Sequence, residues 1–271
     1  MPELPELEIL KRELRPYVLG RQVKELVVPE GKGGDCAVGE WKEALEGATI
    51  TGVERRGKML VLHVDSGFSL IVHLMMVGQL LLRSVYNGVP NDVQLMLVFE
   101  DDQLFLGQVH LKFLRLVPTA DLDQMPQLSE LGRDPLGEAF GPEILGEMLA
   151  QRRGKIKSFL LDQRHLAGIG NTYSDEILFE ARISPTRVAS SLNADEVRRL
   201  HGSVVRTLQR GLELGGSSEM AFVHLDGSKG IFQEQFRVKG RKGKPCLVCG
   251  TPIEKTSVGG RGTYFCPSCQ E

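Results

Sequence analysis

No stretch of the 271-residue chain reaches the roughly 18 consecutive apolar residues that a membrane-spanning helix needs. The nearest approach, Phe68 to Leu82 (FSLIVHLMMVGQLLL), is broken by Ser69, His73, Gly78 and Gln79 and reads as buried strands. A secretory leader is missing too. MPELPELEILKREL places acids where a leader carries a basic start and then an apolar run. There is no charge excess: 33 Lys and Arg stand against 35 Asp and Glu. A nucleic-acid partner therefore has to be announced by local rather than global charge. Cysteine is scarce, five in all, and disulfide frameworks belong to small secreted domains. These absences lead us to expect a cytoplasmic protein without membrane association.

What is present suffices for a large core, with 41% hydrophobic residues and a length that suits two domains. Leu7, Leu10 and Leu14 recur at helical spacing in residues 5–15, and Pro5 suits a first turn. From Val23 to Val117 short apolar runs alternate with Gly, Asp and Asn turns, which predicts a β-sandwich capped by the N-terminal helix. Beyond about residue 130 the pattern turns helical. GPEILGEMLAQRR, KIKSFLLDQ and NTYSDEILFEARI each predict a helix. LNADEVRRLHGSVVRTLQRGLELGG predicts a long one, with Asn193 and Glu196 as its capping box and Val197, Leu200, Val204, Leu208 and Leu212 as its apolar stripe. Residues 217–244 are expected to be loop and linker. The class is α+β, and the expected domains are 1–130, 131–236 and 237–271.

Cys246, Cys249, Cys266 and Cys269 form two C-x2-C pairs separated by 16 residues. Two such pairs can complete a tetrahedral thiolate shell for one Zn²⁺, and four sulfurs leave no open position, so the metal is structural. The lead-in and hairpin are basic: Arg237, Lys239, Arg241, Lys242, Lys244, Lys255 and Arg261 are opposed only by Glu254. That concentration suggests phosphate contacts, the alternative being a solubilising surface. Arg261 lies between glycines, where a guanidinium fork could clamp a phosphate. Ala167-Gly168-Ile169-Gly170 precedes a helix that begins near Asn171. This is either a phosphate-binding helix start or a helix hairpin with an Asn cap.

The segments MPELPELE, RRGK at 55–58, LLDQRHLAGIGNTYSDEILF, GGSS at 215–218 and C-x2-C…GGRGTYFCPSC together resemble the formamidopyrimidine-DNA glycosylase/endonuclease VIII family, in order and rough separation. The resemblance spans the chain. It implies a bifunctional glycosylase and abasic-site lyase, monomeric, acting on oxidised or ring-opened purines in damaged double-stranded DNA and cleaving by β,δ-elimination. It implies that Met1 is removed, that Pro2 is the nucleophile and that Glu3 is its acid. Lys58 would protonate the departing base or contact the adjacent phosphate. Glu6 would hold the N-terminal helix and the site in register. Arg152 would contact DNA, and Asn171 and Arg261 would grip the phosphates next to the lesion, with Arg261 assisting the second elimination. The metal implied is one structural Zn²⁺.

The family fills the space left by an extruded base with a Met and with an Arg and a Phe. His73-Leu74-Met75-Met76-Val77-Gly78 retains the first element, with Met76 as wedge; the alternative is a core methionine. The second is altered to Gln108-Val109-His110-Leu111-Lys112-Phe113-Leu114, leaving Phe113 as the candidate. Asn91-Asp92-Val93-Gln94 also departs from the family pattern. Three alternatives therefore stay open: a shifted preference toward oxidised pyrimidines, abasic or single-stranded DNA; a lesion-binding protein without catalysis; and a zinc-ribbon nucleic-acid module.

Overall fold

The computed structural model describes residues 1–29, 38–84, 93–107 and 114–271. Cys36, Asn91, Asp92 and the 108–113 segment with Phe113 lie outside the described residues. The chain forms two compact units. One comprises Met1–Ser129 and Leu214–Gln233, the other Glu130–Glu213 and Glu234–Glu271.

The first unit opens with α1 (Leu4–Val18), whose Leu7, Leu10 and Leu14 are buried as their spacing requires. Two four-stranded antiparallel sheets follow. One runs in the order β1 (Glu25–Val27), β6 (Val93–Val98), β7 (Asp102–Gly107), β5 (Gln79–Ser84). The other runs β2 (Ile50–Arg56), β3 (Met59–Val64), β4 (Phe68–Val72), β8 (Leu114–Pro118). Apolar residues meet across the ladders, for example Leu62 opposite Leu70 and Leu97 opposite Leu104. The run Phe68–Leu82 is two strands in different sheets, joined by the turn at 73–78. The expectation of unbroken β structure from Val23 to Val117 needs one correction. Val38–Leu45 is a helix, α2, because Trp41, Ala44 and Leu45 fall on one face at helical spacing and are buried. The short α3 spans Pro126–Ser129.

The second unit contains α4 (Pro142–Ala150), α5 (Ile156–Leu161), α6 (Asn171–Ala181) and α7 (Ala194–Glu213). Its hairpin pairs β9 (Glu254–Val258) with β10 (Arg261–Phe265). The predicted capping box at α7 is formed. Asn193 Oδ1 accepts from the Glu196 amide at 3.0 Å, and Glu196 Oε2 accepts from the Asn193 amide at 2.8 Å. Val197, Leu200, Val204 and Leu208 are buried, while Leu212 is half-buried. Gly211 faces Tyr173 instead, where an added Cβ would lie 2.4 Å from the phenolic oxygen. Residues 214–233 are not a free linker. Ser217 bridges to Ile231, and the segment belongs with the first unit rather than with the helices.

Candidate active site

In the first unit the N-terminus is seated rather than frayed. Pro2 is buried, and Glu3 is the buried N-cap of α1 at 4% exposure. Glu3 and Glu6 form a reciprocal capping box, in which the Glu3 amide donates to Glu6 Oε2 at 2.8 Å. The other oxygen, Glu6 Oε1, accepts from the Ser217 amide at 2.8 Å. Glu6 thus holds both the helix start and the Gly-Gly-Ser-Ser segment. Gly216, at φ +77°, approaches Glu6 so closely that a Cβ there would lie 3.0 Å from its Cγ. Met1 is part of the chain in this structure, and its amine donates to Met220 Sδ at 3.5 Å.

Glu6→Ala is expected to strand the buried Glu3 amide and the partly buried Ser217 amide and to destabilise the first unit by about 3 kcal/mol, with Glu6→Gln losing roughly half as much. Denaturant unfolding checks this.

Lys58 sits with Gly57 in the two-residue turn between β2 and β3, and is half-buried. His73 lies near enough to feel its charge. Burial first, and the Lys58 ammonium second, hold the His73 imidazole below its ordinary value of 6.5. Its Nδ1 accepts from the Met75 amide at 3.0 Å, so the neutral ring carries its proton on Nε2. Met75 adopts φ +53°, and this turn presents Met76 to solvent at 54% exposure rather than placing it in a core.

A histidine depressed in this way binds fewer protons folded than unfolded just below pH 6.5. Its contribution to stability is complete above that pH and is lost as pH falls through the folded value. We expect NMR titration to show His73 charging below pH 6.5, with the Met75 amide shift moving in step.

In the second unit Asn171 is the first residue of α6, and Arg261 is the exposed first residue of β10. The structure joins them through the backbone, since Asn171 Nδ2 donates to the Gly262 carbonyl at 2.9 Å. The hairpin turn is Gly259-Gly260, with φ +56° and +73°, the two-residue geometry that demands positive φ twice. Arg152 follows α4 and is exposed on a cleft of about 410 Å³ shared with Arg153, Lys155, Asp162 and His165.

Two residues that support Arg261 gave no signal in the sequence. Lys157 and Asp175 are fully buried and paired at 2.6 Å. Lys157 Nζ also donates to Thr263 Oγ1 at 2.8 Å, and the Tyr264 amide donates to Asp175 Oδ2 at 3.2 Å. Burial pushes the Asp175 carboxyl up to about 6, against the pull of Lys157. Glu176 takes the amides of Arg237, Val238 and Lys239, anchoring the basic lead-in on α6. Burial raises its pKa against those three donors.

The four cysteine sulfurs lie within 4.8 Å of one another. Cys246 and Cys269 are 3.9 Å apart, Cys249 and Cys266 3.5 Å. Zinc–sulfur bonds of about 2.3 Å at tetrahedral angles require S···S of about 3.8 Å, so the set fits one zinc ion. Zinc there would tie the ends of the β9–β10 hairpin and has no open position for substrate.

Three family models match the chain. They are the formamidopyrimidine-DNA glycosylase N-terminal domain over residues 1–112, the formamidopyrimidine-DNA glycosylase H2TH domain over 131–222, and the zinc finger found in FPG and IleRS over 243–271. A formamidopyrimidine-DNA glycosylase of Halalkalibacterium halodurans is 40% identical over 275 residues, covering all of both chains. A Lactococcus lactis FPG variant, solved in complex with DNA containing Fapy-dG, superposes with a TM-score of 0.90 at 35% identity over the whole of both chains. The Lactococcus lactis Fpg bound to DNA containing an abasic site gives 0.89 at 34% identity over 99% of each.

Proposed function

The chain belongs to the formamidopyrimidine-DNA glycosylase family, and from that premise we propose that it is a base-excision repair glycosylase and abasic-site lyase that uses Pro2 as its nucleophile. The observation that carries this reading is the seating of residue 2. Pro2 is buried beside the buried Glu3 at a capped helix start that Glu6 ties to Ser217, which supports the reading that the nitrogen freed by removal of Met1 is held in one place.

Once Met1 is removed, Pro2 is a secondary amine with a reference pKa near 8, about a tenth neutral at pH 7. It attacks C1′ of the damaged nucleotide, and the base leaves with the proton that Lys58 supplies. Glu3 protonates the ring oxygen as the sugar opens, a general-acid step. The resulting iminium has no N–H to lose and is cationic at every pH, so it draws electrons for both eliminations. The first expels the 3′ phosphate and the second the 5′ phosphate. Asn171 and Arg261 hold phosphates beside the lesion, with Arg152 contributing at its cleft. Met76, exposed on its turn, is the wedge into the stack. Oxidised or ring-opened purines in duplex DNA are the proposed substrates, and the protein acts as a monomer. Among the described residues no helix is long and apolar enough to cross a membrane.

Duplexes bearing 8-oxoguanine, an oxidised pyrimidine or an abasic site, incubated with borohydride, test the proposal. A covalent adduct is expected on the purine lesion and on the abasic site. Lys58→Ala should lose base excision and keep the abasic adduct. Tight abasic-site binding with no adduct on any substrate would sink the enzymatic reading.

A further inference from the structure

The first arginine of the Arg55-Arg56-Gly57-Lys58 motif has no role in the chemistry above, yet its side chain is only 6% exposed. Strand alternation sends the two arginines to opposite faces. Arg56 reaches outward to Glu54 and Asp123. Arg55 turns inward to α1. Its Nε donates to Glu8 Oε2 at 3.1 Å, and its Nη1 donates to the Gly57 carbonyl at 3.2 Å, inside the turn that carries Lys58.

We propose that the Glu8–Arg55 pair is a positioning device that fixes the Lys58 turn to α1, so that the helix carrying Pro2 and Glu3 and the turn carrying Lys58 hold one geometry. Charge neutralisation does not explain the pair. Glu8 Oε1 already has Lys11 at 2.8 Å and Arg12 at 3.0 Å, from positions i+3 and i+4 of its own helix. A third cation, taken out of water, is costly unless its geometry is satisfied. The two Arg55 bonds leave from different nitrogens of one rigid fork, Nε to the carboxylate and Nη1 to the carbonyl, whereas the three donors of a lysine sit on one atom at the end of a flexible stem. The Glu8 carboxyl is held below its usual range although burial alone would raise it, because hydrogen bonds from Lys11 and Arg55 outweigh that burial. α1 also packs directly on β2 and β3, the strands that flank the turn.

The inference rests on the proposed catalytic reading, and its test keeps the two apart. Arg55→Lys retains the charge and one bond to Glu8 but not the second bond to the turn. Glu8→Gln retains the shape. In each variant kcat for base excision is measured against kcat for cleavage of a preformed abasic site, which has no base for Lys58 to protonate. We expect excision to fall at least about tenfold at little-changed KM, since displacements of about 1 Å cost up to about a hundredfold. Abasic cleavage should stay within about twofold. The titration of His73 is followed by NMR in the same variants, because Lys58 contributes to its depression. A displaced Lys58 lets the His73 value rise toward 6.5. Parallel loss of both reactions, or a His73 titration unmoved in both variants, overturns the positioning role. Should the unaltered chain form no adduct with abasic DNA, the catalytic reading fails, and the His73 titration alone decides whether the pair holds the turn.

Discussion

A chain that keeps Met1 is expected to form no borohydride-trapped adduct, and its abasic-site cleavage is expected to fall by about three orders of magnitude or more, the scale of losing a covalent nucleophile. With Met1 in place the Pro2 nitrogen is a tertiary amide, whose lone pair is delocalised into the carbonyl. The Met1 amine does not replace it. It sits one residue further out, on a residue 39% exposed, and points to Met220 Sδ. A primary amine there also gives an imine that can lose its proton and its pull on electrons. DNA affinity should be little changed, because the phosphate contacts proposed for Asn171 and Arg261 belong to the other unit. Comparing the two forms of the N-terminus by adduct yield and by equilibrium binding makes the separation visible. Equal adduct yield from both forms would contradict the assignment of the nucleophile.

Removing the zinc is expected to weaken DNA binding about a hundredfold while the β-sandwich keeps its amide spectrum. The hairpin carries its own metal site at one end and Arg261 at the other. A structural zinc of this kind supplies about 10–16 kcal/mol to a small fold, so β9 and β10 should not survive its loss. With them go Arg261 and the bond that holds Asn171. Two charge-assisted phosphate contacts at about 1.4 kcal/mol each amount to about a hundredfold. Chelation and Cys249→Ser should agree, and the salt dependence of the remaining binding should flatten. Unchanged affinity after demonstrated zinc loss would refute this role.

Features set by short-range spacing were legible in the sequence. The box of Asn193 and Glu196 and the stripe of α7 need only neighbouring residues, as does the C-x2-C pairing. What escaped was set by distant partners. Lys157 in a six-residue helix reads as a surface charge; its burial comes from Asp175 and Thr263, 18 and 106 positions away. The segment after Gly216 reads as linker, but its attachment is to Glu6, 211 positions earlier. Arg55 and Glu8, 47 positions apart, are each unremarkable alone. Helix α2 was missed for a different reason: eight residues carry too short a period to stand out among strands.

Mass spectrometry of the reduced adduct tests the central claim most directly. After borohydride trapping on an abasic-site duplex and digestion of protein and DNA, the sugar remnant should sit on the peptide that begins with Pro2, at its terminal nitrogen. A remnant on the peptide containing Lys58, or an N-terminal peptide recovered unmodified alongside a trapped complex, would contradict it.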